Sequence, residues 1–232
     1  MLKRNLSLLY LAIILFCASC ASHPPVFPQM PKKGETNMGF TFAAENLIPV
    51  IWWRHGLGRY TDLGLRAGIP FSGSGIDLNR VLYKRDRKWD VINISYNLAP
   101  NSSFDATYYK FKGDKRINLK NPFGVAWKGY RLMYIPEGVS GGESIRFGML
   151  YGRRFSTKWA VEFGYFHDFR SMPFSKVLLA WDPSDTTNIN KYGSNYKEYP
   201  HRFEGLPSEY SRSTGLSFQL FMYLGPTKKK KK

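Results

Sequence analysis

Cysteine is almost missing: the 232 residues contain two, Cys17 and Cys20. That excludes a disulfide-stapled scaffold and a cysteine-only metal site. Acidic side chains are scarce as well, 17 Asp and Glu against 34 Lys and Arg, a formal charge of +17. The sequence has no HExxH and no phosphate-binding loop, and its one CxxC spacing, Cys17 to Cys20, closes the apolar N-terminal run, so no zinc, redox or nucleotide signature lies in the body of the chain. No helical stripe of apolar residues runs downstream of residue 34. What the chain does hold is 43% apolar residues, with 17 Phe, 15 Tyr and 6 Trp. Such a composition folds or inserts and is not that of a disordered tail.

The N-terminus sets the address. Lys3 and Arg4 precede an apolar run, Leu6 to Phe16, interrupted only by Ser7 and holding Tyr10; Ala18 and Ser19 follow. This pattern reads as a bacterial-type signal peptide over residues 1–19, too short to be a spanning helix. Cys17-Ala18-Ser19-Cys20 resembles a lipobox, departing from it at Cys17, where leucine is preferred. The resemblance implies that Cys20 becomes an acylated mature N-terminus; ordinary signal peptidase cleavage nearby is the alternative. Export takes the chain out of the cytoplasm, so nucleic acid is not an expected partner despite the charge. Residues 20–34, with a Pro-rich run from Ser22 to Gly34, read as a lipidated tether.

From residue 35 to 225 the dominant period is two. Met38, Phe40 and Phe42 alternate with Asn37, Gly39 and Thr41, and Ile92, Ile94 and Tyr96 with Val91, Asn93 and Ser95. The same alternation marks Leu63–Ile69, Ile145–Tyr151, Val161–Tyr165 and Leu216–Leu224. One face is large and apolar; the other is Gly, Ser, Asn and isolated charges. Small residues suit the crowded interior of a narrow closed barrel, which leaves the apolar face for lipid. The expected fold is all-β: a transmembrane, up-and-down antiparallel β-barrel of about ten strands, near 37–44, 48–55, 62–70, 76–83, 89–98, 104–111, 124–135, 143–153, 159–170 and 213–224. Eight strands are the alternative if 104–111 is loop. Short turns then share the periplasmic side, with Lys112–Phe123 as the long exception, and the six tryptophans sit mostly at strand ends, as aromatic girdles do. Two residues resist this pattern, Arg80 and Lys128, which fall on the apolar parity. Strands 48–55 and 104–111 have apolar residues on both faces.

Three stretches carry a family resemblance: Arg59–Gly68, Arg154–Glu162 and the final strand Thr214–Leu224. They resemble the turn-plus-strand units and the C-terminal recognition strand of small bacterial outer-membrane β-barrels. The final strand departs in being followed by Gly225-Pro226-Thr227 and a lysine run. The resemblance implies an outer-membrane β-barrel lipoprotein in the bacterial cell outer membrane, with outer-membrane lipids and the barrel-assembly machinery as partners. Its role is expected to be structural or surface-binding and non-enzymatic. A periplasmic lipid-anchored barrel holding a lipophilic ligand is the second reading, and a lipid A-modifying barrel enzyme the third.

Candidate functional residues follow from parity. Arg66, Arg131, Arg146 and Glu162 are expected inside, as an ion-selecting lumen or, the favoured reading, a salt-bridged polar filling. His167 and Asp168 lie near Ser171, but neighbouring strand residues point to opposite faces, which argues against a catalytic pair. Asp182 and Asp185 lack a regular calcium loop. No metal or cofactor is expected. Ser171–Arg212 is the least regular segment, and its part Asn188–Tyr210, rich in Tyr, Asn, Ser and Lys, is either a recognition surface or a cap on the barrel mouth. Basic clusters at Lys84–Lys88, Lys112–Lys120 and Arg153–Lys158 would face the periplasm beside anionic lipid. The tail over 226–232 adds Lys228, Lys229, Lys230, Lys231 and Lys232, for which anionic lipid or peptidoglycan is the expected partner.

Overall fold

The computed structural model describes residues 24–43, 49–68, 73–98, 102–113, 124–136, 144–168 and 216–226. The signal peptide, Cys20, the 171–212 segment, Lys228–Lys232 and nearly all of the 112–123 turn lie outside the described residues. Ten strands form: β1 (Thr36–Ala43), β2 (Val50–Gly56), β3 (Thr61–Ala67), β4 (Gly75–Arg85), β5 (Lys88–Asn97), β6 (Ser103–Gly113), β7 (Val125–Ile135), β8 (Ser144–Arg154), β9 (Trp159–Asp168) and β10 (Leu216–Pro226). Each pairs antiparallel with its sequence neighbours, and β10 returns to β1 to close the barrel. Closure pairs every strand edge, which an open sheet of this composition would leave exposed to aggregation.

The two ends differ. At one end, called here the turn end, Asp86-Arg87 alone links β4 to β5, and four residues each link β2 to β3 and β8 to β9. Asp86 takes a positive φ of 50°. A two-residue hairpin needs that geometry, and Asp tolerates it better than most side chains.

The parity follows the sequence pattern. Leu65, Ile94, Leu132, Met149 and Phe163 are exposed outside, whereas Asp77, Asn97, Thr107, Arg131 and Glu162 are buried inside. Strands β2 and β6, which showed no parity, have one. Trp52 and Arg54 point in, as do Thr107, Tyr109 and Phe111, while Ile51, Trp53, Tyr108 and Lys110 point out. Their alternation was hidden because the interior is itself aromatic near the turn end.

The tryptophans correct the girdle expectation. Trp52 and Trp127 are each 1% exposed and fill the core. Trp89 stacks on Phe111 at 5.2 Å and 11°. Trp53 and Trp159 do face outward, Trp159 at the start of β9 but Trp53 in the middle of β2; Trp181 lies outside the described residues. Inward glycines make room for the rings. A Cβ on Gly129 would sit 2.8 Å from Tyr109 Cε1, and one on Gly152 or Gly148 would run into Trp127 or Phe166.

Arg80 and Lys128 face outward and are exposed. A register shift does follow Arg80, between Val81 and Tyr83, but it does not turn Arg80 inward. Arg80 pairs with Thr61, the first residue of β3, and its guanidinium donates a 2.7 Å hydrogen bond to the Thr61 hydroxyl. Lys128 is the fourth residue of β7. Both charges therefore sit toward the turn end, where a long side chain reaches past an apolar belt.

Candidate functional site

The largest departure from the sequence pattern is the segment read as a tether. Pro24, Pro25, Val26, Phe27, Pro28 and Pro31 are buried. The chain passes the rim where Gly34 N–H donates to Gly56 O at 2.7 Å, then folds back into the turn-end mouth. Phe27 meets Trp52 edge-on at 6.1 Å and Tyr223 at 6.2 Å. Tyr223 Oη donates to the Val26 carbonyl at 2.6 Å. Arg154 lies 4.3 Å from the centre of the Tyr223 ring and donates to the backbone carbonyls of Ser156 and Thr157. Although it belongs to the basic Arg153–Lys158 cluster expected to face the periplasm, Arg154 points inward at 3% exposure.

Proline explains the plug's backbone. Four prolines among residues 24–31 remove four N–H donors that an apolar lumen could not satisfy. The cleft left between plug and wall, lined by Pro24, Phe27, Asp62, Asn79, Tyr109 and Phe111 among others, has a volume of about 10 Å³. That is room for about one water.

Beyond the plug the interior is polar. Arg54 pairs with Asp62 at 2.6 Å and with Asp77. Asn93 donates to Asp77 at 2.8 Å and to Asn79 at 2.7 Å. Asn97 donates to Asp105 at 2.9 Å, and Ser103 to the same carboxylate at 3.2 Å.

The four lumen charges named from sequence are all buried. Arg66 approaches Asp77 at 3.8 Å and bonds Asn97. Arg131 donates to Thr107 at 2.7 Å and Tyr109 at 2.8 Å. Glu162 accepts from Trp127 Nε1 at 2.7 Å. Arg146 sits inside near the other end of β8, 8% exposed. The structure joins Arg66 to a network whose other members, Arg54, Asp62, Asp77 and Asp105, the sequence reading did not name. Their inward parity was the available signal, and it was readable for Asp62 beside Arg66.

A buried charge is costly unless it is paired and hydrogen-bonded. Most of these charges meet that condition through side chains of neighbouring strands, so the network works as filling. His167 is buried on the outward parity, with Nδ1 3.4 Å from the Tyr165 hydroxyl. Ser171 lies outside the described residues. Comparison with family models, with curated proteins and with solved structures found no match to this chain.

Proposed function

We propose that this chain is an outer-membrane β-barrel lipoprotein with a closed lumen and a structural or surface-binding role. The observation that carries the reading is the inversion of polarity across one sheet. Leu65, Leu82, Ile94, Leu132, Met149 and Phe163 are each about half exposed outside, while Arg54, Asp77, Asn97, Arg131, Glu162 and Gln219 are at most 2% exposed inside. A water-soluble barrel has the opposite arrangement, and exposed large apolar side chains on every strand except β2 exceed what monomeric soluble proteins carry.

The plug supports a non-conducting role. An ion path needs an open lumen, and the turn-end mouth is filled by Val26, Phe27 and their prolines. The same filling weighs against a periplasmic carrier, because Phe27, Trp52, Tyr109 and Tyr223 occupy the apolar space a lipophilic ligand would need. The plug also fits a lipid anchor. Cys20 precedes Pro24 by four residues, which span at most about 14 Å. That reach favours an anchor in the leaflet beside the turn end, the arrangement in which the short turns face the periplasm.

The test is expression of the full chain in a Gram-negative host. Expected are membrane material that resists carbonate extraction, heat-modifiable mobility in detergent gels, and palmitate labelling abolished by Cys20→Ala. A chain that stays soluble and monomeric without detergent overturns the barrel-in-membrane reading; palmitate labelling unchanged by Cys20→Ala overturns the anchor.

A further inference from the structure

The outer surface is lopsided. The outward positions of β9, β10, β1, β2 and β3 hold no Lys or Arg among the described residues. Every strand from β4 to β8 does carry outward bases near the turn end. Arg80 and Arg85 are on β4, Lys88 on β5, Lys110 and Lys112 on β6, Lys128 on β7 and Arg153 on β8, all exposed.

At the centre of this half, like charges face each other. Lys110 is the cross-strand partner of Lys128, and Lys112 of Lys88. Arg153 is opposite Ala126, the residue that also faces Lys112. The outward acid among them, Asp90, is the cross-strand partner of Lys110 on its other side and accepts a 2.6 Å hydrogen bond from Tyr108. One carboxylate thus stands beside Lys88, Lys110, Lys112, Lys128 and Arg153, and it does not lie between Lys110 and Lys128. Directly opposed like charges destabilise a sheet unless an anion lies between them.

What lies above the lysines identifies that anion's chemistry. The next outward residues along β6 are Tyr108, Ala106 and Phe104, and along β7 Tyr130, Leu132 and Tyr134. Ala106 sits between Ile94 and Leu132 on the flanking strands, so the sheet has a shallow apolar trough there. The Tyr108–Tyr130 pair separates the trough from the lysines, so a molecule spanning both would pass over the two tyrosine rings. A ligand matching both joins an anionic headgroup to acyl chains in one molecule, as an anionic phospholipid does.

We propose that Lys110 and Lys128, with Lys112 and Arg153 beside them, form a docking site for an anionic phospholipid, its phosphate between the opposed lysines and its chains along Ala106 and Leu132. The inference rests on the membrane reading above and adds to it a specific lipid on one side of the barrel. Lipid of one charge held on one flank would fix how the barrel is oriented toward its neighbours in the bilayer.

The experiment uses the full chain purified in a neutral detergent and offered phosphatidylglycerol or phosphatidylcholine of matched chains, with bound lipid counted by native mass spectrometry. Wild type is expected to retain phosphatidylglycerol preferentially. Lys110→Gln with Lys128→Gln should weaken that preference about thirtyfold, at roughly fivefold per lost charge near an anionic surface. Lys110→Arg with Lys128→Arg should keep it. Equal retention of the two lipids, undiminished retention by the Gln pair, or full displacement by millimolar inorganic phosphate overturns the site. Heat-modifiable mobility is scored on every sample. If wild type lacks it, the membrane reading itself has failed; if all variants show it and lipid preference is absent, only the lipid site has.

Discussion

The Tyr223 hydroxyl donates a 2.6 Å hydrogen bond to the Val26 carbonyl, joining residues 197 positions apart in the chain. One end of the bond is on the closing strand β10 and the other on the segment before β1. The contact therefore ties barrel closure to plug seating. Arg154 stacked over the same ring extends the tie to the β8–β9 turn.

Tyr223→Phe should lower the unfolding free energy by about 1–3 kcal/mol, since it leaves a buried carbonyl without its donor. Phe27→Ala should cost about 3 kcal/mol through the cavity it leaves among aromatic rings. Urea unfolding in lipid or detergent measures both. Because Phe27 and Tyr223 touch, the double variant should lose less than the sum of the two.

The buried Arg54 pairs with two carboxylates, Asp62 and Asp77. Arg54→Met strands those charges and should cost about 3–5 kcal/mol. Combining it with Asp62→Asn and Asp77→Asn removes the stranded charge and should recover most of the loss. A triple variant no more stable than Arg54→Met would mean that the network does more than neutralise itself.

Gly152 faces the Trp127 indole. Gly152→Leu forces overpacking there and should cost about 1–3 kcal/mol. Trp127→Ala in the same chain should relieve much of that, visible as a higher urea midpoint for the double variant than for Gly152→Leu.

Depth along β7 separates two outward positions. Leu132→Arg places a charge within the apolar belt and should cost about 2–4 kcal/mol if the belt meets lipid, whereas Lys128→Arg, nearer the turn end, should cost close to none. Folding into vesicles, scored by gel mobility, reads the difference. Equal tolerance at both positions would place the outer face in water.

The alternation of Met38 to Phe42, Ile92 to Tyr96, Ile145 to Tyr151 and Leu216 to Leu224 was enough to define those strands and which of their faces turns inward; with 104–111 left open between strand and loop, the count stood at about ten or eight. A side-chain period of two is a local property that survives in any antiparallel pairing. The inward parity of Arg66, Arg131, Arg146 and Glu162 was legible for the same reason. What pairs with each was not, because the partners lie on neighbouring strands whose register depends on the whole closed sheet: Trp127 reaches Glu162 only because β7, β8 and β9 align as they do. Strands β2 and β6 hid their parity because an aromatic interior makes both faces apolar. The destination of Pro24–Pro31 was decided by tertiary structure alone. A Pro-rich run has no amphipathic period to announce burial, and only the closed barrel creates the aromatic mouth that it fills. The sequence by itself thus determined the strands and most of their faces. Closure of the sheet decided the filling of the lumen and gathered bases from five separate strands onto one flank.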